Sequence, residues 1–350
     1  MRRRCFVDIF SGAGGSSLGF LEAEFKPLAA LDFYNYANRT YERNIGIKPT
    51  CADARFFNFE KWATKLGDVD VLIGCPPCQG FSRMNMRRMS RKHTDPRNEL
   101  VITYIRAVKA IGPDVAVFEN VRGIIKYQGG VYFRLLIEEF KKMDYKVAYG
   151  ILDAVNYGVP QRRKRLIIIA SKIFKPKLPE PTHLSPSSPE VIRGLKKPWK
   201  TVGDTIKDLP PLGFGERHPT IPNHETRNLP DNWVDLIKAI PKNGGSRKDA
   251  PRSLWLPCHL KHNGHYDVFG RLRWDKPANT ITTGCWNPSK GRFVHPEQDR
   301  GLSLRECARL QSFPDNFIFL GPPSSIAKQI GNAFPPLLAK AIAFSIKQMI

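Results

Sequence analysis

The chain has 350 residues, 41% hydrophobic and 11% aromatic, enough to bury a sizeable core without disulfide or metal staples and too much for disorder throughout. Its longest aliphatic run, residues 166–170, falls far short of the roughly 18 apolar residues of a membrane span, so no membrane partner is expected. Fifty-five Lys and Arg against 32 Asp and Glu give a net charge of +23, which is regional: residues 151–200 hold 11 bases and 3 acids, whereas 201–250 hold 7 of each. A solvated face can carry such a run, but at this excess a polyanion, nucleic acid, is the better expectation. Seven cysteines at irregular spacings suit a reducing compartment, and Asp8 with the glycines at 12–15 interrupts what Arg2, Arg3 and Arg4 would otherwise begin as an export signal; a cytoplasmic protein is expected.

In chain order, 5–10, 27–31, 69–73, 115–118 and 166–170 are short, branched and apolar, the texture of strands covered on both faces. Between them Leu100, Tyr104, Ile105 and Val108, then Tyr132, Leu135, Leu136 and Phe140, recur at helical spacing. Strands alternating with helices predict an α/β fold with a doubly wound, mostly parallel sheet. From about residue 175 five prolines within 14 residues exclude a helix and predict an extended linker. The following 130 residues, rich in Gly, Pro, His and Trp, read as a second domain of irregular or β character. Helices are expected again at 304–310 and 337–349, the last returning to the first domain because alone it could not bury its apolar face.

Phe10, Ser11, Gly12, Ala13, Gly14 and Gly15 place a small-residue turn after the first strand, where a ligand can approach the backbone and a helix N-terminus. The spacing lacks the final glycine of the dinucleotide fingerprint. Asp32, ending the second strand, suits a ribose hydroxyl or a helix cap, and Phe33 suits an adenine. After the strand at 69–73 comes Cys75-Pro76-Pro77-Cys78-Gln79-Gly80-Phe81-Ser82. Zinc would need a second ligand pair, and Cys258, His259, His262 and His265 are spaced unlike a structural site; a thioredoxin-like site would need neither the basic arm nor this length. The preferred reading is one reactive cysteine, Cys78, aimed by two stiff prolines, against the alternative of a small buried hydrophobe. Glu119 and Asn120 end a further strand; Glu119 is either a general acid beside the nucleophile or a cap. Strand alternation puts Arg163 and Arg165 on one face, Arg162 and Lys164 on the other. The run 83–97 sets Arg83, Arg87, Arg88, Arg91, Lys92 and Arg97 against Asp95 alone.

Asp8-x-Phe10-x-Gly12-x-Gly14-Gly15, Pro76-Pro77-Cys78-Gln79-x-Phe81-Ser82, Glu119-Asn120-Val121 and Gln161-x-Arg163-x-Arg165 together resemble a DNA (cytosine-5) methyltransferase of the prokaryotic modification type. Residues 304–314 and 329–335 resemble that family's last two blocks, in its order. The resemblance covers nearly the whole chain except about 190–260, and implies a Rossmann-like methyltransferase sheet with a smaller target-recognition domain. It divides the chain into a catalytic domain at 1–178, a recognition domain and hinge at 179–320, and a returning segment at 321–350. It implies S-adenosyl-L-methionine as cofactor, held by residues 10–15, Asp32, Phe33, Asp53, Ala54, Pro76, Leu100, Asn332 and Ala333. It implies Cys78, Glu119, Asn120, Arg163 and Arg165 as catalytic, the two arginines on the base oxygen and adjacent phosphate. Double-stranded DNA is the implied partner, touched by Gln79, Ser82 and the cations of 83–97, which are expected to close over it while the target cytosine is flipped out. The chain is expected to act as a monomer, with a separate restriction endonuclease as companion. The alternatives are a transfer-RNA cytosine-5 methyltransferase and a catalytically silent DNA-binding regulator.

Overall fold

The computed structural model describes residues 3–77, 99–261 and 267–350. Contacts divide the chain into two units: Met1–Asp153, Lys164–Pro181 and Phe334–Ile350 form the first, Ala154–Arg163 and Thr182–Ala333 the second. The return to the first unit thus starts at Phe334, where the sequence reading places it at 321. Residues 154–163 join the second unit, because Gln161 and Arg163 find their hydrogen-bond partners there.

The first unit is built on seven strands: β1 (Cys5–Ile9), β2 (Lys26–Asp32), β3 (Thr50–Cys51), β4 (Val71–Gly74), β5 (Val115–Val121), β6 (Lys146–Asp153) and β7 (Lys164–Ser171). Their spatial order is β3-β2-β1-β4-β5-β7-β6. β1 to β5 pair in parallel, so their carboxyl ends share one edge; β7 runs antiparallel to β5 and brings its amino end to that edge. Strand order reverses between β1 and β4, the switch point at which open α/β sheets bind ligands. β1 and β4 are buried along their whole length, as branched runs covered on both faces should be. β3 and β6 lie outside the expected strands. The first is two residues long, and β6 is the sheet edge, largely half-exposed and interrupted by Gly150, so it lacks the continuous apolar signature.

Helices α1 (Gly15–Glu22), α2 (Asn35–Ile45), α3 (Phe59–Leu66), α4 (Leu100–Ile111) and α5 (Val131–Lys142) cover the sheet. The core joins β1, β4, β5 and β7 to α4 and α5: Tyr104 of α4 donates its hydroxyl to the Val117 carbonyl at 3.0 Å, and its ring meets Phe118 at 5.2 Å and Phe140 at 6.4 Å. Each such apolar side chain, fully buried, contributes about 1.5–3 kcal/mol.

In the second unit strands β8 (His183–Leu184) and β9 (Lys197–Pro198) pair in parallel, and helices α6 (Pro189–Ile192), α7 (Gly203–Ile206), α8 (Asp231–Ala239), α9 (Pro257–Lys261), α10 (Leu304–Leu310) and α11 (Pro323–Asn332) punctuate long loops. Of the irregular or β character expected, the irregular part dominates. A small apolar core around Leu236, Ile237, Phe269 and Val294 is supplemented by a buried ion pair. Glu306, in a capping box with Ser303 at the start of α10, holds Arg300 at 2.7 Å, both fully buried. Burial alone would raise the Glu306 carboxyl, but the Arg300 charge and hydrogen bonds overrule it and leave it at about 2.

The last helix, α12 (Pro336–Lys347), belongs to the first unit and packs on α1. Gly19 makes the approach possible: a Cβ there would stand 2.5 Å from the Pro336 carbonyl oxygen and the Lys340 nitrogen.

Candidate active site

The turn after β1 is wound by positive φ at Phe10 (59°), Gly12 (53°) and Gly14 (94°). A side chain at Gly14 would also meet Ile45 at 2.9 Å and Tyr41 at 3.0 Å, so glycine is required there on two counts. Asp32 braces the turn: one carboxylate oxygen accepts from the Gly12 amide at 2.9 Å, the other from the Tyr34 amide at 2.8 Å, just before α2. These two bonds tie the glycine turn to the start of α2. The Phe33 ring beside it is 63% exposed at the same edge.

Beneath the turn lies a group to which the sequence motif assigned no role. Asp8, fully buried in β1, accepts from the hydroxyls of Ser16 and Ser17 at 2.6 Å each, and Ser17 bonds Tyr41 of α2 at 2.8 Å. Burial pushes the Asp8 carboxyl up to about 7 against those two hydrogen bonds, and the charge of Asp32 adds to the rise. Asp8 Oδ1 and the buried Ser11 Oγ have no hydrogen-bond partner among the described residues. Two serines on the first turn of α1, where the motif reads Gly14-Gly15-Ser16-Ser17, are the signal that could have found this network.

Across the switch point, β4 ends at Gly74, which pairs with Phe118, so Glu119, Asn120 and Val121 of β5 extend beyond it and pair only with β7. Asn120, wholly buried, donates to the Pro76 carbonyl at 3.3 Å and accepts from the Val121 amide at 2.9 Å, tying the turn at 75–77 to β5. Arg165, opposite Val121, places its Nε 2.8 Å from Glu119 Oε1, with both side chains 11% exposed. Cys75 sits close enough to feel the charges of Glu119 and Asp8; burial first, and those charges next, push its thiol well above the usual range, so it stays protonated. Cys78, Gln79, Ser82, Arg83, Arg87, Arg88, Arg91, Lys92 and Arg97 lie outside the described residues, as do His262 and His265.

Asp53 and Ala54 follow β3 at the same edge. Asp53 accepts from the Arg55 amide at 3.0 Å and pairs with the Arg55 side chain, which holds its carboxyl below the usual range. Leu100 is buried at the start of α4. Asn332 and Ala333 end α11 in the second unit.

Arg163 lies in the second unit. Its alternation with exposed Arg162 and Lys164 holds, but it precedes β7. Its terminal nitrogens donate to the carbonyls of Ile281 at 2.8 Å, Gly331 at 3.0 Å and Ala333 at 3.1 Å, all within the second unit. A buried guanidinium must satisfy its donors, and these main-chain carbonyls do so. Gln161 behaves alike: its amide bonds the Leu310 carbonyl at 2.8 Å and the Gln311 side chain, and its oxygen accepts from the Ile281 amide. Gln311 continues the chain to the Ile330 carbonyl at 2.7 Å.

An open α/β sheet with a glycine turn on one side of its switch point and a buried carboxylate–guanidinium pair on the other is the architecture these observations define. The description of C-5 cytosine-specific DNA methylases fits residues 5–348, and the chain belongs to that family. It is a DNA (cytosine-5)-methyltransferase, acting on DNA with a methyl group taken from a donor. Among its relatives, the Type II methyltransferase M1.HphI of Haemophilus parahaemolyticus is 36% identical, over 98% of this chain and 87% of its own. The Type II methylase M.HgiDII of Herpetosiphon aurantiacus is 33% identical over 98% and 95%. A prophage-encoded DNA modification methyltransferase from E. coli shares the fold, with a TM-score of 0.66 at 22% identity over 99% of both chains.

Proposed function

We propose that the chain is the modification enzyme of a Type II restriction–modification system, methylating C5 of a cytosine flipped out of duplex DNA and using S-adenosyl-L-methionine. The observation that carries this reading is the buried Glu119–Arg165 pair standing just beyond the end of β4, beside the turn that runs through Pro76 and Pro77 into Cys78. A stacked cytosine is out of reach of such a buried pair, so the base has to be extruded, at a cost of a few kcal/mol.

The cofactor fits the other side of the switch point. Ser11 Oγ and Asp8 Oδ1 are buried polar atoms that lack partners among the described residues, the first turn of α1 leaves amides for a carboxylate, Asp32 stands at the end of β2 beside the turn for ribose hydroxyls and Phe33 offers an exposed ring to adenine. Ala54, Pro76 and Leu100 would add apolar walls, and Asp53 would accept from the adenine amine by exchanging part of its Arg55 pairing. When bound, S-adenosyl-L-methionine supplies a sulfonium methyl, an electrophile this chain has no side chain to provide.

Cytosine C5 is too weak a nucleophile to take that methyl directly. The Cys78 thiolate adds to C6, forming a C–S bond and moving the C5–C6 electron pair onto C5. Glu119 hydrogen-bonds or protonates N3, so the ring does not carry the resulting negative charge. Arg165 anchors Glu119 and reaches the base oxygen, while Asn120 fixes the turn that leads to Cys78. After methylation a base removes the C5 proton, the C5=C6 bond re-forms and the thiolate leaves. Arg163 acts as a positioning residue through the carbonyls it holds. The cations of 83–97 contact the phosphates of the duplex, the second unit reads its sequence, and the enzyme works as a cytoplasmic monomer beside a separate endonuclease.

The test is transfer of labelled methyl from S-adenosyl-L-methionine to unmethylated plasmid DNA and to transfer RNA, followed by bisulfite sequencing of the plasmid. Label in DNA at one sequence context is expected; label in RNA alone, or in neither, refutes the reading.

A further inference from the structure

Asp8 is a buried acid without a cation. It sits in β1 with Ala30 of β2 and Ile73 of β4 opposite it, is wholly enclosed, and makes no ion pair among the described residues. The hydroxyls of Ser16 and Ser17 meet one carboxylate oxygen; the other, like Ser11 Oγ three residues on, is buried and has no partner among the described residues. Buried polar atoms are rarely left in that state, and both of these can accept a hydrogen bond.

The groups around Asp8 supply no positive charge. Asp32 on β2 is a second acid and adds to the rise of the carboxyl that burial begins. Burial, then the charge of Asp8, holds Tyr41 on α2 protonated, and burial, then Glu119 and Asp8, does the same for Cys75 beyond β4. The first turn of α1 carries neither acid nor base. The carboxyl is thus balanced at about 7, where one nearby cation tips it.

That cation is what the cofactor would bring. Ser16 and Ser17, whose hydroxyls hold Asp8, also belong to the first turn of α1, whose amides lack carbonyl partners within the helix and suit a carboxylate. In S-adenosyl-L-methionine the carbon bearing the carboxylate also bears an ammonium, and the sulfonium follows two methylenes further on.

We propose that Asp8 is the counter-charge for the cationic end of the cofactor, giving up its proton to solvent as the ammonium or sulfonium docks and so making cofactor binding proton-linked. This rests on the cofactor reading above. Linkage is reciprocal: a cation that favours the ionised acid binds better where the acid is already ionised. A buried water would also satisfy Asp8 Oδ1 and Ser11 Oγ, but it brings no charge and would leave cofactor affinity indifferent to the proton.

The test is calorimetric titration of the full chain with S-adenosyl-L-methionine between about pH 5.5 and pH 7.5, in buffers of different ionisation enthalpy. The wild-type chain should bind roughly 5- to 10-fold more tightly at the upper pH and release about half a proton midway. Asp8→Asn should bind with an affinity flat in pH and release none. Ser16→Ala keeps the acid but removes a hydrogen bond that favours its ionised form, so the rise should move to higher pH; this variant decides the matter if Asp8→Asn does not fold. S-Adenosyl-L-homocysteine, which has the ammonium but not the sulfonium, separates the two sources. A shallower rise than for S-adenosyl-L-methionine assigns the effect to the sulfonium, an equal rise to the ammonium. Wild-type affinity that does not change with pH, or an unaltered rise and proton release in Asp8→Asn, overturns the proposal while leaving the cofactor reading intact. A folded wild-type chain that binds S-adenosyl-L-methionine at no pH overturns both.

Discussion

Arg163→Ala removes a guanidinium that is 3% exposed and leaves the carbonyls of Ile281, Gly331 and Ala333 without the donors that meet them at 2.8–3.1 Å. Hydrogen bonds from a charged donor are worth about 1.5–3 kcal/mol each, and the desolvation that the buried guanidinium no longer suffers offsets part of the sum. The net loss should be about 3–5 kcal/mol, comparable to breaking a buried ion pair. For a chain of this size that corresponds to a melting temperature lowered by roughly 4–7 °C. Calorimetry on wild type and variant reads the stability, and duplex anisotropy against salt on the folded variant reads phosphate contact. A positioning residue should lose stability and keep the wild-type salt slope. A variant with unchanged melting temperature and a slope shallower by about 0.9 would mean that Arg163 holds a phosphate, and the reasoning from its carbonyl partners would be wrong.

Cys78→Ser should abolish methyl transfer, whereas Cys75→Ala should keep it, because burial holds the Cys75 thiol protonated; the labelled-methyl assay decides both. Asp8 gives a pH signature. Its folded-state carboxyl is raised to about 7, so the stability it contributes is fully present below its unfolded value near 4 and is lost as the pH rises through about 7. Urea unfolding should therefore show the gap between wild type and Asp8→Asn changing by about 4 kcal/mol between pH 4 and pH 8, in favour of the variant at high pH; a constant gap would refute it. Gly19→Ala should cost about 2–3 kcal/mol by forcing α12 off α1, seen as faster hydrogen exchange along residues 336–347.

Short-range physics made much of the first unit legible. Branched runs such as Val71–Gly74 can be little other than covered strands, small residues at 10–15 can only be a turn, and two prolines after β4 aim whatever follows. The order of these pieces was enough to place the glycine turn, Glu119 and Asn120 on one sheet edge. Tertiary structure alone decided what long-range partners decide. β6 became a strand because β7 pairs with it, although its own residues are half-exposed and uneven. Arg163 and Arg165, two residues apart and alike in the sequence, were given different work. One is spent on carbonyls more than a hundred residues away, and the other meets a carboxylate on the neighbouring strand. Charge and alternation predict which side of the chain such a residue faces; which acceptor waits there depends on loops whose closure no local propensity encodes.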